Sequence, residues 1–301
     1  MQQLKAWIKA CRLRTLPLAF STIIMGTALA AYFHYVSVGI FVLSLSTTLF
    51  LQILSNLAND YGDFVKGTDN NNRQGPERAL QSGIINKEEM KWAIIIFSLL
   101  AFTSGIALLI LSFEKIISYE FITFVLLGLA CIFAAITYTI GKSAYGYNSL
   151  GDLFVFVFFG IVGVMGSYFL YVKEFNVLVF LPASSIGLLS AGVLNVNNMR
   201  DIENDKASAK HTLAVKLGIE SAKNYHLIIV CVALINLLIF DLLQQAHIDK
   251  YFYVLLFPLF VLHILKIHKA SEPLHLDKQL KPLALSTFVL SVVFAISHSF
   301  L

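Results

Sequence analysis

Acids are scarce in this 301-residue chain, and two stretches concentrate them. NLANDYGDFVKGTD, residues 56–69, carries Asp60, Asp63 and Asp69 directly after a long apolar run. NVNNMRDIEND, residues 195–205, repeats that placement with Asp201 and Asp205. Asp60 and Asp63 stand three apart and Asp201 and Asp205 four apart, so a helical continuation of each run sets each pair on one face. Like charges placed that way repel unless a cation sits between them. Hard divalent cations such as Mg²⁺ take carboxylate oxygens and keep waters and substrate phosphates in their shell. Two such pairs can therefore hold metal ions that bridge a diphosphate from opposite sides. Asn56, Asn59, Asn195 and Asn198 precede the acids by similar intervals, and their amides can complete a metal shell or orient the carboxylates. Asp69, in TDNNNR, reads equally well as part of a turn. Glu203 lies off the face of the second pair.

Basic residues interleave with the acids. Lys66, Arg73 and Arg78 follow the first cluster, and Arg200, Lys206 and Lys210 surround the second. A departing diphosphate gains charge as its ester bond breaks, and lysine, arginine or a metal ion compensates it. Lys66, Arg73, Arg78 and Arg200 are the preferred candidates. They are close to the acids, and GPERALQSG is a turn able to fold back. The plain alternative is that cytoplasmic loops of membrane proteins carry basic residues anyway. A third stretch, YTIGKSAYGYNSLGD (138–152), combines Tyr138, Lys142, Tyr145, Tyr147 and Asp152 with three glycines. It reads either as an interfacial aromatic anchor or as a site for an aromatic acceptor.

The elements that must position these residues are apolar. The chain is 57% hydrophobic and 13% charged, with a mean hydropathy of +0.76, whereas soluble domains carry about 25% charged residues. This is the composition of an all-α integral membrane protein, read as one domain over 1–301. Spans are expected near 16–35, 38–57, 91–113, 119–140, 152–172, 176–199, 224–243, 250–268 and 281–299, each long enough to cross about 30 Å of hydrocarbon. With the N-terminus inside, 19 of the 22 lysines and arginines fall on the cytoplasmic side, leaving Lys115, Lys173 and Lys250 outside. That bias supports an odd number of spans and an outside C-terminus. Both acidic clusters then lie on the cytoplasmic face, after spans two and six, in basic loops of similar size that hint at an internal duplication.

Other chemistries find little support. Cys11, Cys131 and Cys231 form no C-x-x-C pair, and the eight histidines are scattered, read mostly as interfacial. There is no Gly-rich nucleotide fingerprint or Walker lysine, and the basic residues form no folded face for nucleic acid. A cation-coupled transporter is the competing reading, but it is expected to place its carboxylates near the bilayer midplane; here they sit at span ends.

Taken together, the chain resembles the UbiA superfamily of membrane-bound aromatic prenyltransferases. The family's N-D-x-x-D motif falls on Asn59, Asp60 and Asp63, and its D-x-x-x-D motif on Asp201 and Asp205. The acid usually found four residues after the first motif is replaced by Gly67, with Asp69 next, as in the menaquinone branch that prenylates 1,4-dihydroxy-2-naphthoate. RLRTLPLAF, GPERALQSGII, YTIGKSAYGYNSLGDLFVFVFFG and NNMRDIENDKASAKHTLAVKLG extend the likeness along the chain, with Ala209 standing where many relatives have Gly. The resemblance implies nine helices around a central cavity opening sideways to lipid. It also implies Mg²⁺ on Asp60, Asp63, Asp201 and Asp205, with Asp69 and the amides of Asn56, Asn59 and Asn198 in support. Polyprenyl diphosphate and an aromatic ring would be the substrates, with 4-hydroxybenzoate the alternative acceptor. Lys142 with Tyr145 or Asp152 would orient the acceptor or take a proton, and Arg14 would meet its carboxylate. The expected location is the bacterial inner membrane.

Overall fold

A computed structural model describes residues 1–70 and 78–299. Arg73 lies outside the described residues. Among them, nine helical segments are long and apolar enough to cross a membrane. A short helix α1 (Gln2–Cys11) runs through a tight turn into the first span, α2 (Leu16–Tyr32). There follow α3 (Val38–Val65), α4 (Lys87–Ser112), α5 (Tyr119–Thr137), α6 (Gly151–Val172) and α7 (Val177–Arg200). Two short helices, α8 (Ile202–Ala207) and α9 (Leu213–Leu217), precede the last spans, α10 (Ile219–Leu243), α11 (Ile248–Lys269) and α12 (Pro273–Ser299).

Side-chain caps set several helix starts. Ser37 and Ser118 accept from the amides of Ile40 and Phe121, three residues on. Asn86 and Glu89 form a reciprocal capping box at the start of α4, with bonds of 2.8 and 2.9 Å. The helices after Ser37 and Ser118 start at the expected residues, 38 and 119, but two others outrun their apolar stretches. α4 begins at Lys87 rather than 91, and α12 at Pro273 rather than 281, carrying Pro282 inside it. α3 continues to Val65, so the first acidic cluster is helical.

α7 is the centre of the bundle and the most buried span. It packs against α6, α10 and α12, and α2 lies along α12. The approach of α6 to α7 is close enough to need glycine on both sides. A Cβ on Gly160 would stand 2.6 Å from the Ala183 carbonyl and 2.9 Å from the Gly187 Cα. Within α6, Phe156–Met165 is wound as a π-helix, an arrangement often found beside functional sites. α5 packs on α3 and α4 and buries little else.

Three of the eight histidines, His226, His263 and His298, are buried inside the bundle and depart from the interfacial reading. His226 and His263 meet Nε2 to Nε2 at 2.9 Å between α10 and α11, both buried. His298 Nε2 lies 2.9 Å from Asp241 Oδ1, while Tyr253 donates to Asp241 Oδ2 at 2.6 Å. This second group is also buried and ties α10, α11 and α12 at the end of the bundle away from the acidic clusters.

Candidate active site

Each acidic cluster ends in the same local device. In the first, α3 closes with Thr68 N donating to Asp63 O at 2.9 Å and Gly67 N to Phe64 O at 3.2 Å, with Gly67 left-handed at φ +73°. In the second, α8 closes with Lys210 N donating to Asp205 O at 2.8 Å and Ala209 N to Lys206 O at 3.3 Å, with Ala209 left-handed at φ +52°. Both are Schellman caps, a motif that favours glycine at the left-handed position. Both place an aspartate in the last helical turn and fold the following chain back over it. Asp201 sits at the break between α7 and α8, yet Asp205 N still donates to Asp201 O at 2.8 Å, preserving the four-residue spacing.

The two devices meet. Asn204 Nδ2 donates to Thr68 O at 2.9 Å, and Lys210 Nζ lies 3.7 Å from both Asp63 and Asp205. Tyr147 sits between them. Its hydroxyl donates to Asp63 Oδ1 at 2.8 Å and lies 2.6 Å from the Thr68 hydroxyl, while its carbonyl accepts from His211 N. Lys66 Nζ lies 3.9 Å over the Tyr147 ring and Lys210 Nζ 5.3 Å. Residues 75–77 of the GPERALQSG turn lie outside the described residues, while Arg78 reaches the acids. It donates to Asp60 Oδ1 and lies 3.6 Å from Asp63 and 3.5 Å from Asp69. Arg12, at the end of α1, also donates to Asp60 Oδ1. All five aspartates are buried.

Burial pulls the Lys210 ammonium down most strongly of any single effect, but Asp63, Asp205, Asp201 and Asp69 together outweigh it and hold it above the usual lysine range. Lys66 lies below that range, through burial first, with the attraction of Asp63 partly offsetting it and Lys210 adding to it. Burial, then neighbouring carboxylates, raise the Tyr138 and Tyr147 phenols, so both stay protonated.

Arg200 is buried at the end of α7 and committed to its neighbours. It grips Asp201 at 2.9 and 2.5 Å, Asp277 of α12 at 2.6 Å and Asn197 at 2.9 Å. It therefore orients Asp201 instead of lining the cavity. Asn56 donates to Cys11 O at 3.0 Å and Thr15 Oγ1 at 3.2 Å, tying α3 to the turn before α2. Asn59 accepts from Thr139 at 3.4 Å, and Asn198 is buried; all three line the cavity below the acids. Asn195 instead donates to Ala222 O on α10, so it serves packing.

That cavity, about 1110 Å³, is walled by α2, α3, α4, α5, α6, α7 and the start of α12. Asp63, Arg78, Lys210 and the exposed Arg14 stand at one end, and Glu120, Phe124, Phe169 and Phe175 at the other. Tyr119 and Tyr138, at opposite ends of α5, both line it, a helical length of about 28 Å.

The third sequence stretch divides. Tyr138 and Tyr145 contribute rings to the cavity, with Tyr145 stacked on Phe154 at 4.0 Å and edge-on to Tyr138 at 5.2 Å. The Tyr145 hydroxyl donates to Ala134 O at 2.8 Å, which corrects its reading as a proton acceptor. Lys142 is a second correction: beyond the left-handed turn at Gly141 it is exposed and apart from the cavity wall. Asp152 is buried behind the wall and hydrogen-bonded to Tyr225 of α10. Sequence reasoning undervalued Arg12, counted only as topology charge, and Lys210, ranked below the other basic residues. The left-handed Ala209 is what returns Lys210 to the acids.

The donor set suits a hard divalent cation. It is all oxygen, with two aspartate pairs, Asp69 and nearby amides, and no thiolate or imidazole. Among the described residues no three carboxylate, imidazole or thiolate side chains converge as a ready-made ion cage; Arg12, Arg78 and Lys210 stand between the acids. Mg²⁺ asks for one or two carboxylates and fills its shell with water and substrate phosphate. The residues present fit that habit.

A helical membrane bundle with two capped aspartate pairs above a long apolar cavity defines the class. The chain belongs to the UbiA prenyltransferase family, whose model matches residues 19–292. It is 39% identical to the 1,4-dihydroxy-2-naphthoate octaprenyltransferase of Haemophilus influenzae over 98% of this chain and 96% of that one. It is 40% identical to the enzyme of the same name from Escherichia coli over 97% of this chain and 94% of that one. Its fold matches a UbiA homologue from Aeropyrum pernix with a TM-score of 0.67 at 14% identity, covering 94% and 96% of the two chains. It also matches a UbiA homologue from Archaeoglobus fulgidus solved with DMAPP and Mg²⁺, with a TM-score of 0.60 at 17% identity, covering 97% and 100%.

Proposed function

We propose that this protein transfers a polyprenyl group from polyprenyl diphosphate to 1,4-dihydroxy-2-naphthoate, with loss of the carboxylate as CO₂, giving diphosphate and the quinol form of demethylmenaquinone. The observation that carries this reading is the meeting of two capped aspartate pairs, with Lys210 between them, at one end of a cavity long enough for a polyprenyl tail. Near-full-length similarity to naphthoate prenyltransferases supports the choice of acceptor.

Asp60, Asp63, Asp201 and Asp205, with Asp69 in support, would hold Mg²⁺, which when bound supplies Lewis-acid stabilisation of the diphosphate oxygens. Asn59 and Asn198 orient groups at the same level, and Asn56 fixes α3 against the α1–α2 turn. Arg200 acts through Asp201. Arg78, Lys66, Lys210 and Arg73 compensate the charge that the diphosphate gains as the allylic C–O bond breaks with its electron pair. The ring carbon bearing the carboxylate attacks the allylic cation, and the carboxylate then departs as CO₂. The apolar wall excludes water from the cation, and the Tyr138, Tyr145 and Phe154 rings lie where the positive charge develops. Arg14, exposed at the mouth, meets the acceptor carboxylate. Asp152 contributes from behind the wall, through Tyr225.

The lysine and arginine bias orients the N-terminus and the site toward the cytoplasm, the C-terminus outside, in a bacterial inner membrane. We read the chain as one domain. The reading is tested by supplying purified protein in liposomes with a polyprenyl diphosphate and either 1,4-dihydroxy-2-naphthoate or 4-hydroxybenzoate, with and without MgCl₂. Carboxylate-free prenylated naphthoquinol, detected as the quinone after air oxidation and dependent on the metal, is expected. Product from the benzoate alone would reject the acceptor, and no product from either ring would reject the reaction.

A further inference from the structure

Helix α1 stands outside the account so far, except for the arginine at its end. Its ten residues present three faces. Ala6, Ala10 and Trp7 turn inward and share a packed cluster with Leu57, Ala79, Leu80, Ile85 and Met90. Leu4 and Ile8 form a second face, 65% and 51% exposed, which the protein leaves uncovered. Lys5 and Lys9 form a third, also exposed, on the far side of the apolar stripe. Gln3 anchors the helix by donating to Glu89 of the α4 capping box at 3.3 Å. Such a division suits a helix lying along a membrane surface, with apolar side chains in the acyl boundary and basic ones at the headgroups.

Charge identifies the surface. The first acid in the chain is Asp60, so Lys5, Lys9, Arg12 and Arg14 stand in a segment with no negative charge of its own. α1 leads after one short turn into the span α2, which fixes it at a membrane boundary. The far end of α1 reaches the site. Arg12 caps the helix in the left-handed conformation, φ +47°, and donates to Asp60. The inward face of α1 packs on Ala79 and Leu80, the residues after Arg78, whose side chain is on the same Asp60 oxygen. A shift of α1 therefore moves both arginines that hold the first aspartate.

We propose that α1 takes an anionic phospholipid surface, and that this contact seats Arg12 and Arg78 on Asp60, so that anionic lipid tightens binding of the prenyl diphosphate. The coupling rests on the reading of the acids as the diphosphate-binding end, while the placement of α1 does not. The chain has two tryptophans, so Trp92→Phe leaves Trp7 as a single reporter on α1. The full-length protein is placed in nanodiscs of phosphatidylcholine with or without phosphatidylglycerol, the acyl chains brominated, and Trp7 fluorescence is read. Farnesyl diphosphate with MgCl₂ is then titrated by calorimetry in the unbrominated counterparts.

Phosphatidylglycerol is expected to deepen Trp7 quenching and to tighten farnesyl diphosphate binding, by up to about fivefold for each lysine engaged. Lys5→Gln with Lys9→Gln is expected to abolish both lipid effects and leave binding in phosphatidylcholine unchanged. Leu4→Ser with Ile8→Ser, both exposed and without a packing role, is expected to weaken quenching in either membrane. Quenching indifferent to phosphatidylglycerol would overturn the lipid surface. Quenching that responds, with binding that does not, would overturn the coupling. Absence of any farnesyl diphosphate binding would instead count against the reading of the acids, with the Trp7 result still deciding where α1 lies.

Discussion

Lys210 reaches an aspartate of each cluster, lying 3.7 Å from Asp63 and from Asp205. Its charge is held by four carboxylates against burial. Lys66 is poised oppositely, below the ordinary lysine range. A lysine needed as a cation loses function as pH rises through its pKa, so kcat/KM for the diphosphate is expected to fall in the alkaline range earlier than an ordinary lysine would cause. Lys66→Arg is expected to move that fall to higher pH, measured as a pH–rate profile. Lys142→Ala, at an exposed position, should change kcat/KM by less than about twofold. Lys210→Met should lower it about a hundredfold, the scale of removing one charge-stabilising donor. The acids were legible in the sequence because they are rare and regularly spaced. Lys142 misled because proximity in sequence to tyrosines says nothing about which side of a turn a side chain takes.

At the scale of elements, the paired caps explain a departure visible in the sequence. Ala209 occupies a left-handed position that favours glycine, at a cost of about 1 kcal/mol for the Cβ. Ala209→Gly is expected to raise stability by about 0.5 kcal/mol or more, read as a higher Tm in detergent, with the site geometry retained. The far end of the cavity offers a second test. Phe124 of α5 stacks on Phe169 of α6 at 5.4 Å, and a Cβ on Gly166 would meet only Phe124, at 3.8 Å. Gly166→Phe is expected to raise KM for long polyprenyl diphosphates while sparing geranyl diphosphate, because only a long tail reaches this level. Equal effects on both donors would place the tail elsewhere. Hydropathy located the spans but not all their ends, since a capping residue such as Asn86 extends its helix past the apolar stretch.

Across the molecule, polar groups hold both ends of an apolar bundle. Opposite the site, Asp241 takes a hydrogen bond from Tyr253 and pairs with His298, all three buried. Asp241→Ala leaves both partners unmatched and should lower stability by about 1–3 kcal/mol, read as an earlier thermal unfolding transition with activity at room temperature preserved. Nothing in the sequence pointed to this group, because its members lie 12 and 57 residues apart on different helices. The nine-span count and the shared face of the two acidic clusters were legible from hydropathy and charge. Their contact through Tyr147 and Asn204 was not, since it depends on how α3, α7 and the chain after α5 pack together. The central claim is that both clusters grip one diphosphate. It is tested most directly by calorimetric titration of farnesyl diphosphate with MgCl₂ into the wild type, Asp63→Asn, Asp205→Asn and the double variant. A shared ligand predicts that each single change weakens binding sharply and that the double loses much less than the sum, as expected of coupled neighbours. Losses that simply add, or an Asp205→Asn protein that binds like the wild type, would contradict it.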